Sequence, residues 1–183
     1  VRAIVVCEPS CLSAIKDEWL ALKCRSSKAT REKIAAKSSL VEDFIDRAWN
    51  EHPNRPLVER LAAPAHGPPV VLHGHCHQKA LWGIETTARL LRRLVGDRLR
   101  ILDAGCCGMA GGFGYGADRY ELSMTIGELT LFPSLREAPV DAIIVAPGTS
   151  CRHQVHDGVN RRAIHPVELA ASLVAAQQRA ASR

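Results

Sequence analysis

Val70-Val71-Leu72-His73-Gly74-His75-Cys76-His77-Gln78 decides the reading of this chain. The apolar, β-branched start reads as a buried strand over Val70–His73. Gly74 then breaks the strand and leaves Cys76 in the loop at its C-terminal end. Three further short runs share this form: Ala3–Val6, Arg100–Leu102 and Ala142–Val145, each followed by a turn or a cysteine-bearing segment. Continuous apolar runs of this length suit strands covered on both faces, as in parallel sheets.

Helical periodicity fills the intervals. Leu40, Val41, Phe44, Ile45, Ala48 and Trp49 fall on one helical face. Lys79–Val95 is a second amphipathic run, and Arg119–Leu135 a third, ahead of the breakers Pro133 and Pro139. Pro166 opens a last helix with Val167, Ala170, Leu173 and Val174 on one face. Alternating strand and helix gives an α/β class with a mainly parallel sheet flanked by helices.

Pro53–Pro69 holds five prolines and reads as a linker over 53–69 between residues 1–52 and a unit spanning 70–183. Val1–Val6 followed by Ser10-Cys11 parallels Val140–Val145 followed by Ser150-Cys151, with turns differing by one residue. The expectation is a duplicated unit whose first copy lacks its front half, and hence a chain that is a piece of something longer.

The chain has 183 residues, 46% of them hydrophobic, enough to bury a core and too many for a disordered or fibrous chain. Its net charge of +5 has no aromatic platform interleaved with it, so the basic residues read as solvated helix faces or a docking surface. A nucleic-acid partner is not expected. No apolar run reaches the ~20 residues of a membrane span. Seven unpaired-looking cysteines suit a reducing compartment, where clustered thiols bind metal more often than they form disulfides. The expected location is cytoplasmic, or peripheral at the inner face of a membrane.

The densest segment is Ala104-Gly105-Cys106-Cys107-Gly108-Met109-Ala110-Gly111-Gly112. Two adjacent thiolates chelate one zinc poorly but can ligate different irons of one cluster. The glycines leave backbone N–H groups free to hydrogen-bond sulfur, and a helix beginning near Gly116–Asp118 would favour an anion. Cys76, Cys106, Cys107 and Cys151 each follow the C-terminal end of a predicted parallel strand, the edge where α/β sheets collect ligands. The four are therefore expected to converge on one iron–sulfur cluster, 4Fe–4S in type. Cys11, the repeat equivalent of Cys151, is a candidate ligand of a second cluster. Cys24 reads as incidental in a basic helix, and Cys7 has no repeat equivalent. His73, His75 and His77 read as hydrogen-bond donors behind the thiols, or as ordinary turn residues. A structural zinc module and a thiol redox pair at Cys106-Cys107 are the alternatives. Gly112-Phe113-Gly114-Tyr115-Gly116 lacks the spacing of a nucleotide-binding loop.

At three places the sequence resembles the cysteine-rich CCG domain family: His73–Ala80, Gly105–Gly111, and Ser150-Cys151-Arg152-His153-Gln154. His165–Ala170 and Glu8-Pro9-Ser10-Cys11 look similar too. That family includes the glycolate oxidase iron–sulfur subunit, the heterodisulfide reductase B subunit, and the C-terminal part of FAD-linked D-2-hydroxyacid dehydrogenases, the nearest in its motifs. The resemblance implies an iron–sulfur electron-transfer module. It would serve a flavin domain or subunit that oxidises a 2-hydroxy acid such as lactate, glycolate or 2-hydroxyglutarate, and pass electrons to a downstream acceptor. FAD and the catalytic base are expected outside this sequence. The C-x-x-C ending of heterodisulfide reductase members is absent, because Arg152, His153 and Gln154 follow Cys151.

Overall fold

A computed structural model describes residues 1–49, 51 and 66–181. In chain order the elements are β1 (Ile4–Val6), α1 (Pro9–Lys16), α2 (Glu18–Ala21), α3 (Lys28–Lys37), β2 (Ser38–Leu40) and α4 (Val41–Ala48). There follow β3 (Val70–Leu72), α5 (Cys76–Leu81), α6 (Glu85–Val95), β4 (Leu99–Ile101), α7 (Tyr120–Glu128) and α8 (Leu131–Glu137). The last are β5 (Ile143–Val145), α9 (Thr149–Val159), β6 (Ala163–Ile164) and α10 (Pro166–Ala181). The expected α/β class with parallel sheets is the one observed.

β4-β3-β5-β6 form one parallel sheet in that spatial order, and β1 and β2 pair in parallel as a second. The chain goes from β3 outward to β4, then returns to the other side of β3 with β5. The connections leaving β3 and β5 therefore part in opposite directions and open a crevice beyond their C-terminal ends, the place where such sheets bind ligands.

Side chains alternate across the large sheet as the pleat requires. Val71 and Ile144 face a core with Leu131, Phe132, Leu135 and Val155 from α8 and α9. Val70, Leu72 and Val145 face the opposite core with Leu90, Leu91 and Leu94 from α6 and Leu169 from α10. Ile45 and Trp49, at the end of α4, pack onto this second core. Asp46, also on α4 and buried, takes Arg89 Nε at 2.8 Å and Arg93 Nε at 3.1 Å from α6. These contacts fasten the β1–α4 part to the large sheet.

Several sequence expectations change in detail. The run from Lys79 to Val95 is two helices, because Gly83 adopts φ +78° between α5 and α6. The run from Arg119 to Leu135 also divides, and Pro133 sits in the first turn of α8, where its missing N–H costs nothing. The helix expected near Gly116–Asp118 begins at Tyr120, after a 3-10 turn at Phe113–Tyr115. Phe44 turns outward from the predicted apolar face and is 42% exposed. Cys24 lies between α2 and α3 rather than in a helix. Of the proposed linker, 53–65 fall outside the described residues, while 66–69 lead without regular structure into β3.

Candidate functional site

Local sequence places three cysteines in the first turns of helices that follow strands. Cys76, expected in a loop, is instead the first residue of α5, after β3, because His75 caps that helix by accepting His77 N–H at Nδ1, 3.2 Å away. Cys151 is the third residue of α9, after β5. Cys11 holds the same place in α1, after β1. Helix N-termini favour the thiolate form of a nearby cysteine. Cys106 and Cys107 follow β4 in an irregular loop, so the anion-favouring helix ends come from α5 and α9.

The structure brings Cys76, Cys106, Cys107 and Cys151 together. Cys76 Sγ and Cys106 Sγ lie 3.9 Å apart. Cys107 lies between Cys106 and Cys151, and its thiol interacts with both. The four thiols thus neighbour one another in the order Cys76–Cys106–Cys107–Cys151. Cys76 and Cys106 are half-buried, while Cys107 and Cys151 are buried within the apolar core. A cavity of about 300 Å³ lies over the group, lined by Cys76, Cys106 and Cys107 together with His75, Ser10 and Ser150. Cys7, Cys11 and Cys24 are exposed and do not line it.

Sulfur contacts separate the acidities of the four thiols. Cys106 is drawn well below the ordinary thiol value, first by its hydrogen bond with Cys107, then by Cys76 and the Gly108 N–H, against burial. Gly108 N donates to Cys106 Sγ at 3.4 Å, the backbone-to-sulfur bond that the glycine-rich segment predicts. Cys107 is pushed up by its bonds with Cys106 and Cys151 and by burial. Cys76 is pushed up by its bond with Cys106 and by burial. Cys151 falls well below the usual value, chiefly through Cys107, with the His73 imidazole adding to the effect against burial.

The support behind the thiols is polar and buried. His73 has no measurable exposure, lies against Cys151, and has no regular hydrogen bond at either ring nitrogen. Gln154, one turn beyond Cys151, donates through Nε2 to Ser123 O and Oγ at 3.0 Å each, tying α9 to α7. Gly108 must be glycine here: its φ is +96°, and a Cβ would stand 2.0 Å from Ser123 O. Lys79 Nζ, on the helix that carries Cys76, donates to the Ala104 and Gly105 carbonyls just before Cys106.

Two polar residues at the site lie in segments covered by the family resemblance, but the sequence assigns neither a role. Glu8 caps α1 through Ser10 and also accepts Thr149 N–H, at the start of α9, at 2.7 Å. Burial raises its carboxyl, but the donors from Thr149 and Ser10 outweigh it and hold the group below the usual range. His165 accepts Val167 N–H at Nδ1 and turns Nε2 to the Cys7 carbonyl, 2.9 Å away. Only proximity across the fold identifies either role.

Among the described residues, no three His, Cys, Asp or Glu side chains are arranged to hold a single metal ion. The donor set instead suits a polynuclear core. Four thiols gather at one rim of the sheet, three of them line a cavity, and an amide and a buried imidazole stand behind them. Among the described residues no helix is long and apolar enough to cross a membrane.

The chain is similar to the C subunit of the anaerobic glycerol-3-phosphate dehydrogenase of Escherichia coli K12. The two are 28% identical over 172 residues, covering 94% of this chain and 40% of that protein. It is 30% identical over 133 residues to the D-2-hydroxyglutarate dehydrogenase of Pantoea ananatis, covering 72% of this chain and 13% of that protein. It is 34% identical over 96 residues to the D-2-hydroxyglutarate dehydrogenase of Escherichia coli K12, covering 52% and 9% respectively. The chain thus spans 40% or less of the length of these relatives. No family model and no solved structure matches it. By these relationships the chain is akin to parts of dehydrogenases, which are oxidoreductases.

Proposed function

We propose that this chain is a CCG-type iron–sulfur module of an FAD-linked dehydrogenase. It would relay electrons from a flavin domain or subunit, acting on a 2-hydroxy acid or a related polyol phosphate, to a downstream acceptor. The observation that carries this reading is the meeting of Cys76, Cys106, Cys107 and Cys151 at the crevice between β3 and β5. Relatives named as part of a glycerol-3-phosphate dehydrogenase and as D-2-hydroxyglutarate dehydrogenases support it from outside the fold.

A bound cluster would supply reversible one-electron transfer. The chain's own residues would do the rest. The four thiols would hold the cluster, with Cys106 and Cys151 already biased toward thiolate. Gly108 N–H and the His73 imidazole would stabilise negative charge on sulfur. Cys107 and Cys151 lie on the dry side, and Cys76 and Cys106 on the side from which electrons would enter or leave. The arrangement β1–α1–β2–α4, with α2 and α3 added between α1 and β2, parallels β5–α9–β6–α10 and supports the duplicated unit expected from the sequence, with Cys11 standing where Cys151 stands in the second copy.

Anaerobic purification with iron and acid-labile sulfide analysis, followed by visible and EPR spectra, tests the proposal. It predicts a brown protein with iron and sulfide in equal amounts. A colourless protein with one zinc, or a metal-free protein with a reversible two-electron thiol titration, overturns it.

A further inference from the structure

The three helices that carry Cys11, Cys76 and Cys151 come from distant parts of the chain, yet their N-termini meet around one side chain. Glu8 Oε1 accepts Ser10 Oγ at 2.9 Å and Ser10 N–H at 3.4 Å, which closes the first turn of α1. Glu8 Oε2 accepts Thr149 N–H at 2.7 Å, which closes the first turn of α9 across 141 positions of sequence. His75 Nε2 stands 3.9 Å from Glu8 Oε1, and the same ring caps α5 through Nδ1. Because Nδ1 is occupied as an acceptor, the neutral ring carries its proton on Nε2, toward Glu8. Ser10, Ser150 and His75, which touch Glu8 or flank its partner Thr149, all line the cavity over the thiols.

One carboxylate satisfies orphan donors of two helices that a single small cap would each require. This arrangement does more than stabilise a helix. It fixes where the Cys151 turn sits relative to the β1–α1 part, and it places a negative charge 3.9 Å from His75, which lines the cavity.

We propose that Glu8 is a positioning residue that clamps the Cys151 turn to the start of α1 beside the cavity, and that its charge lowers the reduction potential of the cluster held there. The proposal rests on the iron–sulfur reading for its second half only. A negative charge disfavours the added electron, so removing it favours the reduced cluster. A group with a purely structural role would not shift the potential in a fixed direction.

Glu8→Gln and Glu8→Ala in the full chain separate the two effects. In metal-free protein, Cys151 is buried, so its alkylation by iodoacetamide reports detachment of the α9 end. The expected result is alkylation of Cys151 at least tenfold faster in Glu8→Ala, and less accelerated in Glu8→Gln, which keeps one acceptor oxygen. In anaerobically loaded protein, an EPR-monitored redox titration of Glu8→Gln should show a midpoint above that of the unmodified chain. Unchanged Cys151 alkylation in both variants, or a midpoint that is unchanged or falls in Glu8→Gln, overturns the proposal. If the unmodified chain binds no cluster, the proposed function fails, and alkylation alone still decides whether Glu8 is a clamp.

Discussion

Glu42 has no measurable exposure, and neither of its carboxylate oxygens has a hydrogen-bond partner. It lies in the first turn of α4, whose N-terminus favours a negative charge, but burial dominates; its own backbone N–H and Arg152 pull the other way, while Asp43 and Glu8 add repulsion. His165 Nε2 stands 3.9 Å away, but burial favours the neutral ring, and its proton is directed at the Cys7 carbonyl. The Glu42 carboxyl is accordingly pushed up from 4.5 to about 7. In the unfolded chain Glu42 loses its proton above pH 4.5, whereas the folded chain keeps it until about pH 7. The folded state binds more protons across that interval, so its stability falls as pH rises. The shift corresponds to about 3 kcal/mol, present in full below pH 4.5 and lost above about pH 7. Glu42→Gln carries no charge at any pH and should remove this loss. Urea unfolding at pH 4.5 and pH 8 measures it. The difference between variant and unmodified chain should move by about 3 kcal/mol in favour of the variant between the two conditions. A difference that stays flat with pH refutes the buried-neutral reading of Glu42.

Other consequences are equally direct. Cys76→Ser and Cys151→Ser should each lose most of the iron bound on anaerobic reconstitution, whereas Cys24→Ser should retain it; metal analysis after desalting distinguishes them. Gly108→Ala should fold poorly or bind little iron, because its Cβ meets the Ser123 carbonyl at 2.0 Å and its φ is +96°. The expected cost is about 1–3 kcal/mol, read from thermal melts. Asp46→Ala should cost about 1–3 kcal/mol by removing the anchor shared by Arg89 and Arg93, and urea unfolding at neutral pH measures it.

What the sequence displays and what it conceals follow from how each element is stabilised. β3, β4 and β5 lie in the sheet that has helices on both faces, and β3 and β5 read as continuous β-branched runs. β2 is Ser38-Ser39-Leu40 and β6 is only Ala163-Ile164, too polar or too short to carry a period. Their pairing with β1 and β5 is set by tertiary packing rather than by residue preference. The divided helices were hidden because no proline falls between Lys79 and Val95; Trp82, Gly83 and Ile84 leave the helical conformation there, Gly83 with φ +78°. The four thiols were legible because each follows a readable strand and the strands are parallel. Glu8 and His165 fall in segments that resemble the family, but their contacts were not legible, since a carboxylate that caps a helix 141 positions away leaves no local pattern.

The claim on which all this depends concerns the location of iron as much as its presence. Anomalous diffraction at the iron edge, from crystals of the anaerobically loaded chain, measures it. The account predicts one compact peak in the cavity bounded by Cys76, Cys106 and Cys107, within bonding reach of all four sulfurs including Cys151. Iron seated on the exposed Cys7, Cys11 or Cys24, with the four grouped thiols unligated, would contradict it.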